Sequence, residues 1–254
     1  MKKLLALTVI AQISLASYSF AQTKVVAHRG AWKNTGVPEN SIAALKEAIK
    51  MGCWGSEFDV HMSADSVLFI NHDATIQGHA IEKTDAATLS TVKLENGETL
   101  PTLEDYLKAG LNQRKTRLIL EIKPSAVSKE RGIALAHKVV EVVNKLKAAP
   151  KVDYISFDYE ICKALLKLAP KAKVQYLNGD KTPDQLIADK IHGFDYNLKV
   201  LKANPTWIKE GKQKNLITNS WTVNDEASME WLISEGIELI TTNEPEILLK
   251  KLKK

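Results

Sequence analysis

His28-Arg29-Gly30 follows a short apolar run, Lys24–Ala27. Imidazole titrates near neutrality, and guanidinium grips an oxyanion with a rigid fork of donors. Gly30 allows the chain to turn sharply beside them. His28 alone could be an ordinary core histidine; next to Arg29 it points to an anion site. Glu57, Asp59 and His61 alternate along one extended segment and therefore share a face. Two inward carboxylates repel unless a cation lies between them, and a divalent metal is the economical solution. The competing explanation is a solvent-facing strand surface. His61 completes the spacing but suits a loop position equally well. Glu121 and Lys123 flank Ile122 and share a face by the same rule. They are either a plain ion pair, or a third oxygen ligand and a compensating charge near phosphate. His72-Asp73 is compatible with a positioned acid/base and equally with a surface turn. Trp221 offers an apolar wall, or simply packs beneath a loop. His79, His137 and His192 fall in a loop, a helix and a turn, and read as structural or solvated.

These residues need a scaffold that gathers strand ends at one face. After residue 22 the chain alternates short Val- and Ile-rich strands with longer periodic helices. The strands are Lys24–Ala27, Trp54–Val60, Arg117–Ile122, Val152–Ser156, Lys173–Tyr176, Gly193–Tyr196, Leu216–Ser220 and Glu238–Thr241. The helices are Glu39–Met51, Thr102–Gly110, Lys129–Lys147, Tyr159–Leu168, Pro183–Lys190, Thr206–Lys212, Asp225–Ser234 and Glu244–Leu252. Strands separated by helices rather than hairpins pair in parallel. A doubly wound open sheet competes, but eight repeats in about 230 residues favour a closed α/β barrel of the TIM (β/α)8 type. Val67–Ile70 adds a small hairpin strand near the second barrel strand. The segment 77–98 shows no firm element and is expected to be a loop region flanking the active site.

The start of the chain reads differently. Lys2 and Lys3 precede the apolar Leu4–Leu15, and Ser19-Phe20-Ala21 supplies small residues for cleavage, the order of a secretory signal. Residues 1–21 are therefore expected to be removed, leaving 22–254 as one domain in a periplasmic or secreted protein. No Cys near that boundary suggests a lipid anchor. Cys53 and Cys162 are expected as two buried free thiols, with a disulfide as the alternative. The whole chain has 35 basic and 30 acidic residues, part of the excess lying in Lys2, Lys3 and the terminal Lys250, Lys251, Lys253 and Lys254. There is no basic stripe with interleaved aromatics, which argues against nucleic-acid binding. The modest positive charge suits an anionic small substrate.

The segment VVAHRGAWKNTGVPENSIAALKEAIKMGCWGSEFDVHMSADSVLFINHD resembles the amino-terminal signature of the glycerophosphodiester phosphodiesterase family. LPTLEDYLKAG, LILEIKP, NSWTVND and GIELITTNEPE resemble its later blocks, in the family's order. The resemblance implies a variant eight-stranded α/β barrel, with His28 and His72 as acid/base histidines. It implies Glu57, Asp59 and Glu121 as ligands of one divalent cation, Ca2+ or Mg2+. It further implies Arg29 and Lys123 against phosphate, Trp221 near glycerol, and Glu39 and Asn40 as supports of the substrate site. His61 matches a variable position. Ser63 and Asn243 depart from the family's commoner Thr and Asp, which puts any charge-dependent contact of Asn243 in question.

The chemistry so implied is metal-dependent hydrolysis of a glycerophosphodiester to glycerol 3-phosphate and an alcohol. One histidine takes a proton from the attacking oxygen and the other protonates the departing alcohol. Water and a neighbouring glycerol hydroxyl are both open as nucleophile. About 48 residues separate His72 from Glu121, leaving little room for a large lipid-binding insertion. The alternatives are a phospholipase-type enzyme acting on lysophospholipids or phosphoinositides, and a non-catalytic periplasmic phosphodiester-binding protein.

Overall fold

The computed structural model describes residues 22–253. The segment 1–21, expected to be cleaved, lies outside the described residues. Eleven strands occur in this range. Eight form the barrel: β1 (Lys24–Ala27), β2 (Gly55–Met62), β6 (Arg117–Ile122), β7 (Val152–Ser156), β8 (Val174–Tyr176), β9 (Gly193–Asn197), β10 (Ile217–Trp221) and β11 (Leu239–Thr242). β3 (Leu68–Ile70), β4 (Thr75–Ile76) and β5 (His79–Ala80) lie outside it. The helices are α1 (Ile42–Met51), α2 (Ala86–Leu89), α3 (Leu103–Leu111), α4 (Lys129–Lys145), α5 (Tyr159–Leu168) and α6 (Pro183–Ala188), then α7 (Leu198–Ala203), α8 (Trp207–Gln213), α9 (Glu226–Ser234) and α10 (Pro245–Leu252).

The barrel order is β1-β11-β10-β9-β8-β7-β6-β2, and β2 returns to β1, so the eight-stranded parallel sheet closes. β3 runs antiparallel to the end of β2, pairing His61 with Phe69. This is the closed (β/α)8 architecture expected from the alternation of elements, with the small hairpin in the expected place.

Alternation along each strand divides the core in two. On β2, Phe58, Val60 and Met62 point outward into the layer between barrel and helices, where Phe58 meets Tyr106 at 4.4 Å between ring centroids. Inside the barrel, Val26, Ile119, Ile155 and Leu239 pack with Trp54 and Ile217. Interior positions nearer the C-terminal ends of β2, β6 and β9 carry Glu57, Asp59, Glu121 and Asp195, and the site lies there. Burying these polar groups is tolerable only where each has a partner or a task.

Segment 77–98 is not featureless. It contains β5, a 3-10 turn at Ile81–Lys83 and α2, held by a small separate core of Phe69, Ile81, Leu89, Val92 and Leu100. Its Glu98 carboxylate accepts the backbone N–H groups of Ile42 and Ala43 at 3.0 and 3.1 Å. Those are orphan donors of the first turn of α1, so the excursion caps the helix that leaves the site. The two cysteines are buried and free, and burial pushes the Cys53 thiol up to about 12. Among the described residues no helix is long and apolar enough to cross a membrane.

Candidate active site

The site begins with a strained turn after β1. Arg29 and Asn40 adopt the left-handed backbone region, with φ of 57° and 58°. The Asn40 N–H donates to the Arg29 carbonyl at 2.9 Å, which ties the turn to the entrance of α1. Gly30 has φ +80°, and a Cβ there would lie 2.7 Å from the Ala44 backbone. Glycine is therefore required twice over, by backbone angle and by close approach of α1.

The turn brings side chains of β1 and α1 against β2 and β6. Glu57, Asp59 and Glu121 offer oxygen atoms that all lie within 4.8 Å of one another, and all three residues are buried. Asp59 is paired with Glu121 across the β2–β6 ladder. Lys123 Nζ lies 3.0 Å from both Asp59 and Glu121. Asn40 holds Asp59 from the other side, its amide donating to Asp59 Oδ2 at 2.8 Å and its carbonyl accepting the Asp59 N–H at 3.2 Å. The Arg29 guanidinium donates to both oxygens of Glu39 at 2.9 Å, while the Arg29 N–H donates to Glu57 Oε2 at 2.8 Å.

Electrostatics in this cluster follow burial and mutual repulsion. Burial first, then Asp59 and Glu121, push the Glu57 carboxyl well above the usual carboxylate range. Burial and the Asp59 charge push Glu121 up to about 8. Burial also opposes ionisation of Asp59, but Lys123 and the Asn40 hydrogen bond outweigh it and hold that group low. Glu57 Oε1 is buried with no hydrogen-bond partner among the described residues. An all-oxygen, anionic, under-partnered set of this kind could coordinate a hard divalent cation.

His28 stands over Glu57, with Nε2 4.0 Å from Oε2. Its Nδ1 is 2.7 Å from Asn243 Oδ1, an acceptor, so Nδ1 carries the proton and Nε2 keeps its lone pair. Burial, followed by the Arg29 charge, lowers the His28 imidazole to about 4. The Asn at 243, in place of the family's commoner Asp, thus contacts His28 directly. His72 is more exposed, and its Nδ1 meets Asp73 at 2.7 Å. His61 lies outside the carboxylate cluster; its ring hydrogen-bonds the His72 carbonyl at 3.2 Å and so holds that segment in place.

His28, Arg29, Glu57, His72, Glu121 and Lys123 line one side of a small cavity of about 120 Å³. Ile155, Phe157, Leu177, Asp195, Trp221, Thr222 and Thr241 line the other, with Phe157 and Trp221 edge-to-face at 5.3 Å. Glu39 and Asn40 do not line it; they bear on Arg29 and Asp59 from behind. His79, His137 and His192 are also absent from it. Asp195 was not singled out by residue pattern. Its only signal was a charged residue between Phe194 and Tyr196 in a strand buried on both faces.

Fold and cavity together define a closed (β/α)8 barrel with a cluster of titratable side chains at its mouth. The profile of the Glycerophosphoryl diester phosphodiesterase family matches residues 28–247, and the chain belongs to this family. A glycerophosphodiester phosphodiesterase from Caldanaerobacter subterraneus subsp. tengcongensis is 29% identical over 252 residues, covering 92% of this chain and 99% of that protein. A crystal structure of a glycerophosphodiester phosphodiesterase from Parabacteroides distasonis is 44% identical with a TM-score of 0.89, covering 92% of this chain and 98% of that one. An Oleispira antarctica phosphodiesterase, solved with the product sn-glycerol-3-phosphate, shares the fold with a TM-score of 0.77 at 24% identity, over 93% and 99% of the two chains.

Proposed function

We propose that the chain hydrolyses small glycerophosphodiesters to glycerol 3-phosphate and an alcohol, using one Ca2+ or Mg2+ ion held by Glu57, Asp59 and Glu121. The carrying observation is one cavity lined by Glu57, Glu121, His28, His72, Arg29 and Lys123, with Asp59 completing the buried carboxylate triad behind it. A bound divalent cation supplies charge neutralisation and polarisation at a phosphoryl oxygen. Arg29 and Lys123 add fixed positive charge on the same side, where developing negative charge is stabilised without reorganisation. His28 Nε2, neutral and oriented by Asn243, accepts a proton from the attacking oxygen. His72, nearer solvent and held by Asp73, delivers a proton to the departing alcohol. Trp221 and Phe157 pack against the carbon skeleton. Glu39 and Asn40 serve the substrate indirectly, by fixing Arg29 and Asp59.

The cavity volume favours deacylated glycerophosphodiesters over intact lipids. Export after removal of residues 1–21, with 22–254 acting as one domain in the periplasm or medium, completes the proposal. A panel of glycerophosphocholine, glycerophosphoethanolamine, glycerophosphoinositol, lysophospholipids and bis(p-nitrophenyl) phosphate tests it. Release of glycerol 3-phosphate from the small diesters is expected; activity confined to lipid aggregates would transfer the site to the phospholipase-type reading.

A further inference from the structure

The two halves of the cavity differ in chemistry. The half built by β1, β2 and β6 carries the titratable side chains His28, Arg29, Glu57, Glu121 and Lys123. The half built by β7 to β11 presents mainly apolar side chains, Ile155, Phe157, Leu177 and Trp221, with the hydroxyls of Thr222 and Thr241 beside them, and into it projects one carboxyl, Asp195. Alternation on β9 explains the placement: Phe194 and Tyr196 point outward into the layer beneath the helices, and Asp195 points into the barrel. Asp195 is 1% exposed and meets the Thr241 side chain, which also lines the cavity, while its Oδ1 is left without a hydrogen-bond partner among the described residues. A buried acceptor left without a donor is destabilising, and its persistence in a binding cavity calls for a ligand that supplies one.

We infer that Asp195 is a substrate-recognition residue that accepts a hydrogen bond from a hydroxyl of the glycerol moiety. This rests on the phosphodiesterase reading of the cavity and adds a specificity determinant to it. Once phosphate occupies the charged half, the remainder of a glycerol phosphate faces the β7–β11 half. There the apolar side chains accommodate its C–H faces and Asp195 satisfies a hydroxyl. A carboxyl oxygen can accept a hydroxyl proton whether or not its partner oxygen is protonated. The preference so created is for a polyol phosphate over an alkyl phosphate of similar charge.

The test measures calorimetric binding of sn-glycerol 3-phosphate and of methyl phosphate to the Ca2+-loaded protein, with no turnover involved. Asp195→Leu removes the acceptor at similar volume and should leave the melting temperature equal or raised. It should weaken glycerol 3-phosphate roughly tenfold, the loss of one hydrogen bond, and leave methyl phosphate within a factor of about two. Asp195→Asn keeps a carbonyl acceptor and should restore most of the affinity. Asp195→Ala provides the same comparison if the Leu variant does not fold. Equal weakening of both ligands, or of neither, would overturn the inference. Wild-type turnover of glycerophosphocholine is assayed alongside: its absence would count against the phosphodiesterase reading itself, whereas its presence with undiscriminating variants would count against Asp195 alone.

Discussion

Glu57→Gln separates what a buried carboxylate does for the metal from what it does to the fold. Glu57 Oε2 accepts the Arg29 N–H at 2.8 Å, a bond that a Gln carbonyl can retain. Glu57 Oε1 has no partner, and the residue is 1% exposed beside two other carboxylates. In the metal-free protein, ionisation of Glu57 is opposed by burial, by Asp59 and by Glu121. A neutral isostere removes that repulsion, and relief of an under-compensated buried charge is worth about 1–3 kcal/mol. A domain of this size gains about 2–4 °C per kcal/mol, so the metal-free variant should melt about 2–12 °C above wild type at pH 8. Turnover should fall by about 100-fold or more, because the lost ligand charge acts where phosphoryl charge develops. The assay pairs scanning calorimetry in chelator with glycerol 3-phosphate release in excess Ca2+ or Mg2+. A metal-free variant melting several degrees below wild type would refute the reasoning and assign Glu57 to the fold.

The same cluster makes metal-free stability depend on pH. Glu57 and Glu121 bind protons more tightly folded than unfolded, so their contribution is full below about pH 4.5 and is lost as pH rises through about 8 for Glu121. The metal-free melting temperature should therefore fall between pH 5 and 8 by these groups' contribution, and saturating divalent cation should flatten that slope. Gly30→Ala forces a Cβ to 2.7 Å from the Ala44 backbone at φ +80°, and should cost about 2–4 kcal/mol with loss of activity, read by denaturant unfolding. Intact-mass measurement of exported protein should show a chain beginning at Gln22; a full-length cytoplasmic product would contradict export.

Much of the fold was legible because barrel strands carry two independent signals, apolar content and helix-spaced separation. Arg117–Ile122, Val152–Ser156 and Tyr159–Leu168 coincide with the strands and helix found. α7 was missed since its six residues follow β9 directly, capped by Asn197, and are too short for a helical period to emerge. Segment 77–98 was opaque for the same reason, its short elements being specified by a local core rather than by periodicity. At the site, Glu57, Asp59, Glu121 and Lys123 were legible from alternation on two strands that proved to be neighbours. The places of Glu39 and Asn40 were not, because their contacts depend on the left-handed turn at Arg29 and Asn40. Asp195 was illegible for a further reason: a lone acidic residue in a strand acquires meaning only once barrel closure sets it across from β2 and β6.

The central claim is that this barrel cleaves phosphodiesters through a divalent cation held by Glu57, Asp59 and Glu121. Its most direct measurement is glycerol 3-phosphate release from glycerophosphocholine by wild-type protein, first as purified, then in excess chelator, then after Ca2+ or Mg2+ is restored. The account predicts that chelator abolishes release and that one of the two ions restores it. Undiminished glycerol 3-phosphate production in excess chelator would contradict it.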